Sequence, residues 1–75
     1  MPDTQSAIVR AVRLHLAAKQ KTQVWLASEL GVSPFWIGRR MNNSTIFNVE
    51  EVDKIATVLG VTFEQLLADA EALAA

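Results

Sequence analysis

The sequence predicts an all-α domain, a compact bundle of five short helices. Three observations lead there. Apolar residues recur at three- and four-residue spacing, with no strand-like alternation. Residues that start helices precede most of the apolar stretches, and glycines close two of them. The composition is 51% hydrophobic with only 3 Gly and 2 Pro, which suits a helical core. At 75 residues the chain is a single domain, 1–75, with a thin core; a domain this small buries only about 60% of its unfolded surface.

The first helix covers roughly residues 5–20. Ile8, Val12 and Leu16, four apart, bury one face and leave Arg10 and Arg13 outside. The second follows Thr22, an N-cap for "QVWLASEL", in which Leu26, Ala27 and Leu30 share a side. Gly31 ends it in a left-handed conformation. Ser33 caps the third helix, and Pro34 takes its first position, where a missing N–H costs nothing. In "PFWIGRRM", Ile37 and Met41 point to the core, while Phe35, Trp36, Arg39 and Arg40 fall largely on the other side.

The polar stretch "NNST" breaks the pattern. Asn48 and Glu51 form a capping box for the fourth helix, whose buried stripe is Val52, Ile55, Ala56 and Leu59 and whose stop is Gly60. Thr62 and Gln65 form a second box, with Val61 and Leu66 as a hydrophobic staple. The fifth helix, "FEQLLADAEALAA", carries a wide apolar face of Phe63, Leu66, Leu67, Ala70, Leu73 and Ala74. Part of that face closes the core, and the remainder suits a second copy around a two-fold axis. There is no internal repeat, low-complexity segment or linker.

Several function classes are set aside. With no Cys there is no disulfide and no thiolate chemistry. The one histidine, His15, has no clustered partners for a metal, and it packs or faces solvent. No nucleophile–base pair and no phosphate-binding Gly loop is present, so neither an enzyme nor a cofactor or small-molecule ligand is expected. No apolar run is long enough to cross a membrane, and "MPDTQS" does not read as a signal peptide. The expected location is the cytoplasm of a bacterial cell, or its nucleoid.

The net charge of −1 hides an asymmetry. Residues 1–41 carry Arg10, Arg13, Lys19, Lys21, Arg39 and Arg40 against Asp3 and Glu29. Residues 42–75 carry Lys54 against Glu50, Glu51, Asp53, Glu64, Asp69 and Glu71. The first half is suited to a polyanion while the second faces away. The plainer alternative is two solvated faces with no partner.

The connection between the second and third helices is "GVS". Three residues with a glycine between two short helices match the helix-turn-helix signature. There the first helix braces the second, which lies in the DNA major groove. Ala27 is small where the helices cross, Gly31 makes the turn, and Val32 and Ile37 fill the wedge.

"TQVWLASELGVSPFWIGRRMNN" followed by "VEEVDKIATVLGVTFEQLL" resembles the lambda repressor/Cro-type helix-turn-helix domain, over about residues 8–67. The version here is similar to small regulators of actinobacteria and their phages. The resemblance implies a five-helix DNA-binding domain, usually dimeric on an inverted-repeat operator of double-stranded DNA, that regulates transcription. A homodimer would engage half-sites about 34 Å apart. By position it implies that Gln23 contacts the sugar–phosphate backbone and braces the next helix. Pro34, Phe35 and Arg39 fall where members touch base edges, and Asn42 matches a phosphate-contacting Asn. Asn43 replaces a frequent Gly and tolerates its left-handed backbone. Lys21 lies beside the start of the second helix, and Ser33 at the start of the third.

The departures are informative. Members usually carry polar residues where Phe35 and Trp36 stand, and many carry an apolar residue in place of Arg40. Neither aromatic can make the bidentate hydrogen bonds that read A or G, and Pro34 has no donor. Arg39, with Arg40, is therefore the expected hydrogen-bonding reader within residues 34–41, with guanine O6/N7 as target. Phe35 and Trp36 have three candidate environments: thymine methyls or sugar edges, the core of a rotated helix, or a protein partner. Trp25 reads as packing between helices. Gly38, unfavourable in a helix interior by about 1 kcal/mol, marks a close backbone approach, to DNA or to the second helix. The alternative function is a protein-interaction module on the same fold, an antitoxin or a regulator-binding protein.

Overall fold

The computed structural model describes residues 4–74, with side chains to residue 73. Within them the chain forms α1 (Thr4–Lys19), α2 (Gln23–Leu30), α3 (Pro34–Met41), α4 (Val49–Leu59) and α5 (Phe63–Ala74). No strand occurs among the described residues.

Local chemistry sets most of the boundaries. The Thr22 Oγ1 accepts the Trp25 N–H at 3.0 Å and starts α2. Asn48 and Glu51 make the reciprocal capping box of α4, at 2.8 and 3.0 Å. Gly31 and Gly60 close α2 and α4 with φ of 74° and 79°, in the left-handed region that glycine enters without a Cβ penalty. The second expected box is only half formed. Thr62 Oγ1 accepts the Gln65 N–H at 3.0 Å, but the Gln65 side chain donates to Asp69 at 2.9 Å instead of turning back. Asp69, one turn on, accepts from the Gln65 amide nitrogen and draws the side chain along the helix, away from the Thr62 N–H.

The core is built from Val12 of α1, Leu26 of α2, Ile37 and Met41 of α3, Ile55 and Leu59 of α4, and Leu66 of α5. Each such side chain contributes roughly 1.5–3 kcal/mol by burial. α1 is more deeply enclosed than one stripe predicts: Ala7, Val9 and Ala11 are buried alongside Ile8, Val12 and Leu16. α5 packs mainly on α1. Leu66 and Ala70 are buried and Leu73 is 39% exposed. The side chain of Ala74 lies outside the described residues.

Polar ties between elements supplement the core. The His15 ring and the Asp69 carboxylate meet at 2.7 Å and join α1 to α5. Arg13, expected on a solvated face, reaches back to the Met41 carbonyl at 3.1 Å and helps satisfy the end of α3. Gln5 is buried and holds the α3–α4 loop. Its amide nitrogen donates to the carbonyls of Arg40 (2.9 Å) and Thr45 (3.3 Å), and its oxygen accepts the N–H of the buried Phe47 (2.9 Å).

Candidate nucleic-acid interface

α2, the turn Gly31–Val32–Ser33 and α3 form one unit. Ala27 is fully buried, so its methyl leaves the space the crossing needs. Its carbonyl accepts the Val32 N–H at 3.0 Å, which folds the turn back on α2. The Ser33 Oγ accepts the Trp36 N–H at 3.0 Å, and exposed Pro34 stands at the head of α3. Ile37 and Met41 then anchor the helix, turning its opposite side outward.

The outward side divides the two aromatics and two arginines into two pairs with i, i+4 spacing. Phe35 is 73% exposed, and the Arg39 guanidinium lies over its ring, 5.8 Å from the centroid. Arg39 Nε also donates to Thr45 Oγ1 at 3.3 Å. Trp36 and Arg40 turn the other way. The Arg40 guanidinium lies 3.6 Å from the Trp36 ring centroid, and Trp36 packs against the core. Arg40 Nε and Nη2 reach the two oxygens of Glu51 at 3.1 and 3.2 Å, and Nη1 reaches the Trp36 carbonyl at 3.4 Å.

One sequence expectation is revised here, and one open choice is narrowed. Arg40 has a side chain only 15% exposed, with all three nitrogens engaged, so it braces α3 against α4 instead of projecting from it. Trp36 belongs with the intramolecular packing, leaving Phe35 as the outward aromatic. The signal for Arg40 was Glu51, whose capping role accounts for only part of its bonding capacity. Burial opposes charge on Glu51. The Arg40 hydrogen bonds, the Asn48 N–H and the charges of Arg40 and Lys54 outweigh it and hold the carboxyl below its ordinary value of 4.5.

The remaining expected residues gather around α3 or at the start of α2. Lys21 is exposed, with its ammonium 5.4 Å from the ring centroid of half-buried Trp25. Gln23 is half-buried at the first position of α2, and no hydrogen bond from its side chain to α3 occurs among the described residues. Asn42 caps α3 and its Oδ1 accepts the Ser44 N–H at 3.0 Å. Asn43 has a φ of 67°, the left-handed conformation anticipated for it, and donates to Ser6 Oγ at 3.4 Å. A Cβ built on Gly38 meets nothing within 4 Å, which removes the close approach to α2 as its reason. Phe35, Arg39 and Asn42 thus form one exposed stripe at i, i+4 and i+7. Gln5 and Arg13 tether the end of α3 through backbone carbonyls distant in the chain, partners that sequence spacing does not reveal.

Among the described residues no group of three His, Cys, Asp or Glu is placed to hold a metal ion. No described helix is long and apolar enough to cross a membrane.

A short bracing helix, a tight glycine turn and a second helix with an outward polar and aromatic stripe define the helix-turn-helix class of nucleic-acid-binding domain. Residues 4–75 match the BetR domain, and the chain belongs to that family of helix-turn-helix DNA-binding regulator domains. Among solved structures, the clp gene regulator ClgR from C. glutamicum is similar, with a TM-score of 0.89 at 24% identity. The match covers 100% of this chain and 97% of that one. It establishes the five-helix fold. No curated protein matches the sequence.

Proposed function

We propose that this chain is a sequence-specific DNA-binding transcription regulator that presents α3 to the major groove. The observation that carries the reading is the stripe Phe35–Arg39–Asn42, held outward on a helix braced by α2, in a chain of the BetR family. ClgR, a clp gene regulator, has the same fold. Arg39 reads a guanine edge, Asn42 and Lys21 meet phosphates, and Gln23, Ser33, Pro34 and Asn43 line the approach. The act is binding, with no catalytic step and no cofactor.

The finer reading rests on the sequence resemblance: a Cro- or repressor-like regulator of phage or prophage type, working in the bacterial cytoplasm. It binds an inverted-repeat operator as a homodimer through α5, where Leu73 is still partly exposed. Two copies are favoured because one copy offers few phosphate-facing cations, and affinity rises with each phosphate neutralised.

The test is selection from a randomised duplex pool, followed by fluorescence-anisotropy titration of the selected and scrambled duplexes at two salt concentrations. The reading predicts an enriched motif and tighter binding to it, weakening as salt rises. Equal binding to both duplexes would refute sequence-specific recognition.

A second reading, a protein-interaction module, draws on exposed apolar side chains outside the core: Phe35, Ile46 at 73% and Val49 at 70%. A stoichiometric protein partner, lost on Phe35→Ala and retained by DNA-free protein, would favour it.

A further inference from the structure

Building on the DNA-binding reading, we infer that Phe35 and Arg39 act as one reader of a pyrimidine–guanine step whose pyrimidine carries a C5 methyl group, supplied by thymine or by 5-methylcytosine. The two side chains are already joined before any DNA arrives. The guanidinium lies over the phenyl ring at 5.8 Å, and its Nε is held by Thr45 Oγ1 at 3.3 Å. Among the described residues the two Nη groups have no protein partner, so the end of the fork remains free for guanine O6 and N7. Phe35 has no hydrogen-bonding group and is 73% exposed at the first turn of α3, one turn before Arg39. The apolar group that a base pair offers in the major groove is the C5 methyl.

Spacing allows the two contacts to fall on one step. Successive base pairs lie about 3.4 Å apart along the duplex axis. Groups 5.8 Å apart therefore address neighbouring or next-neighbouring pairs. A phenyl ring beside the guanine-reading arginine covers the methyl of the adjoining pyrimidine and keeps water from the guanidinium face. Arg39 supplies the charge complementarity that draws this apolar surface to DNA instead of to a neutral partner. The consequence is regulatory: cytosine methylation at such a step strengthens binding by the same contact that recognises thymine.

The experiment starts from the duplex selected with the full chain. The pyrimidine beside the essential guanine is varied as thymine, uracil, cytosine and 5-methylcytosine, each against its complementary base, and the guanine is replaced by 7-deazaguanine. Removing the methyl is expected to weaken binding about fourfold, the worth of one buried methyl-sized group, for thymine against uracil and equally for 5-methylcytosine against cytosine. With Phe35→Ala both differences vanish, while the 7-deazaguanine loss persists in reduced form. With Arg39→Ala the 7-deazaguanine loss disappears. A loss for uracil with none for cytosine assigns the contact to thymine alone and overturns the methylation response. Equal affinity for all four pyrimidines, or a methyl effect that survives Phe35→Ala, overturns the paired reader outright. An absence of any selected motif refutes the DNA-binding reading instead, so the two failures are distinguishable. Circular dichroism of each variant checks the fold; both substitutions are at exposed positions.

Discussion

Gly38→Ala is expected to stabilise the domain. Gly38 is the fifth residue of the eight-residue α3, and its φ is not positive. A Cβ added there meets nothing within 4 Å. Alanine therefore gains the difference in helix preference without a steric cost, about 0.5–1 kcal/mol, mainly by narrowing the unfolded ensemble. For a domain of this size 1 kcal/mol moves the melting midpoint by roughly 4–8 °C. Thermal and urea melts followed by circular dichroism would show a higher midpoint with an unchanged urea slope. A lower midpoint would refute the steric argument. The same variant asks why a glycine stands there. If α3 lies close to DNA at this point, Gly38→Ala binds more weakly while folding more tightly, an exchange of stability for function.

Other predictions follow from the packing and the ion pairs. Ala27→Leu, at the fully buried crossing of α2 and α3, overpacks the wedge and costs about 1–3 kcal/mol in urea melts. Gln5→Ala leaves the buried Phe47 N–H without its acceptor and costs about 1–3 kcal/mol, loosening the α3–α4 loop in hydrogen exchange. Two carboxyls are held below their ordinary values: Asp69 by hydrogen bonds from His15 and Gln65, and Glu51 by its Arg40 and Asn48 bonds despite burial. A depressed carboxyl stabilises the fold above its unfolded pKa, and that stability is lost as pH falls through the lowered folded value. Midpoints measured from pH 7 down to pH 3 should therefore drop below about pH 4.5, and the drop should shrink in Glu51→Gln and Asp69→Asn.

The helix ends were legible because their causes are local. Thr22, Ser33 and Asn48 each bond an N–H three residues on, and Gly31 and Gly60 close their helices within the same turn. The inward face of α3 was legible too, since Ile37 and Met41 are the apolar residues at four-residue spacing. What sequence spacing could not show were partners brought together by the fold. Gln5 meets Phe47 across 42 residues and His15 meets Asp69 across 54. Arg40 illustrates the limit most clearly. Its neighbours in sequence placed it beside Arg39, but a carboxylate eleven residues on turns it inward. The helix-turn-helix motif singles out α3 from sequence, while the opposite orientations of its two aromatic–arginine pairs needed the geometry.

The most direct test of the central claim is an anisotropy comparison of wild type and Arg39→Ala on selected and scrambled duplexes. If Arg39 reads a base edge, the variant loses about 1–3 kcal/mol on the selected site and relaxes preference at one base pair. Binding to the scrambled duplex then changes little. An equal loss on both duplexes would make Arg39 a phosphate contact and contradict the assignment of α3 as the reading helix through this side chain.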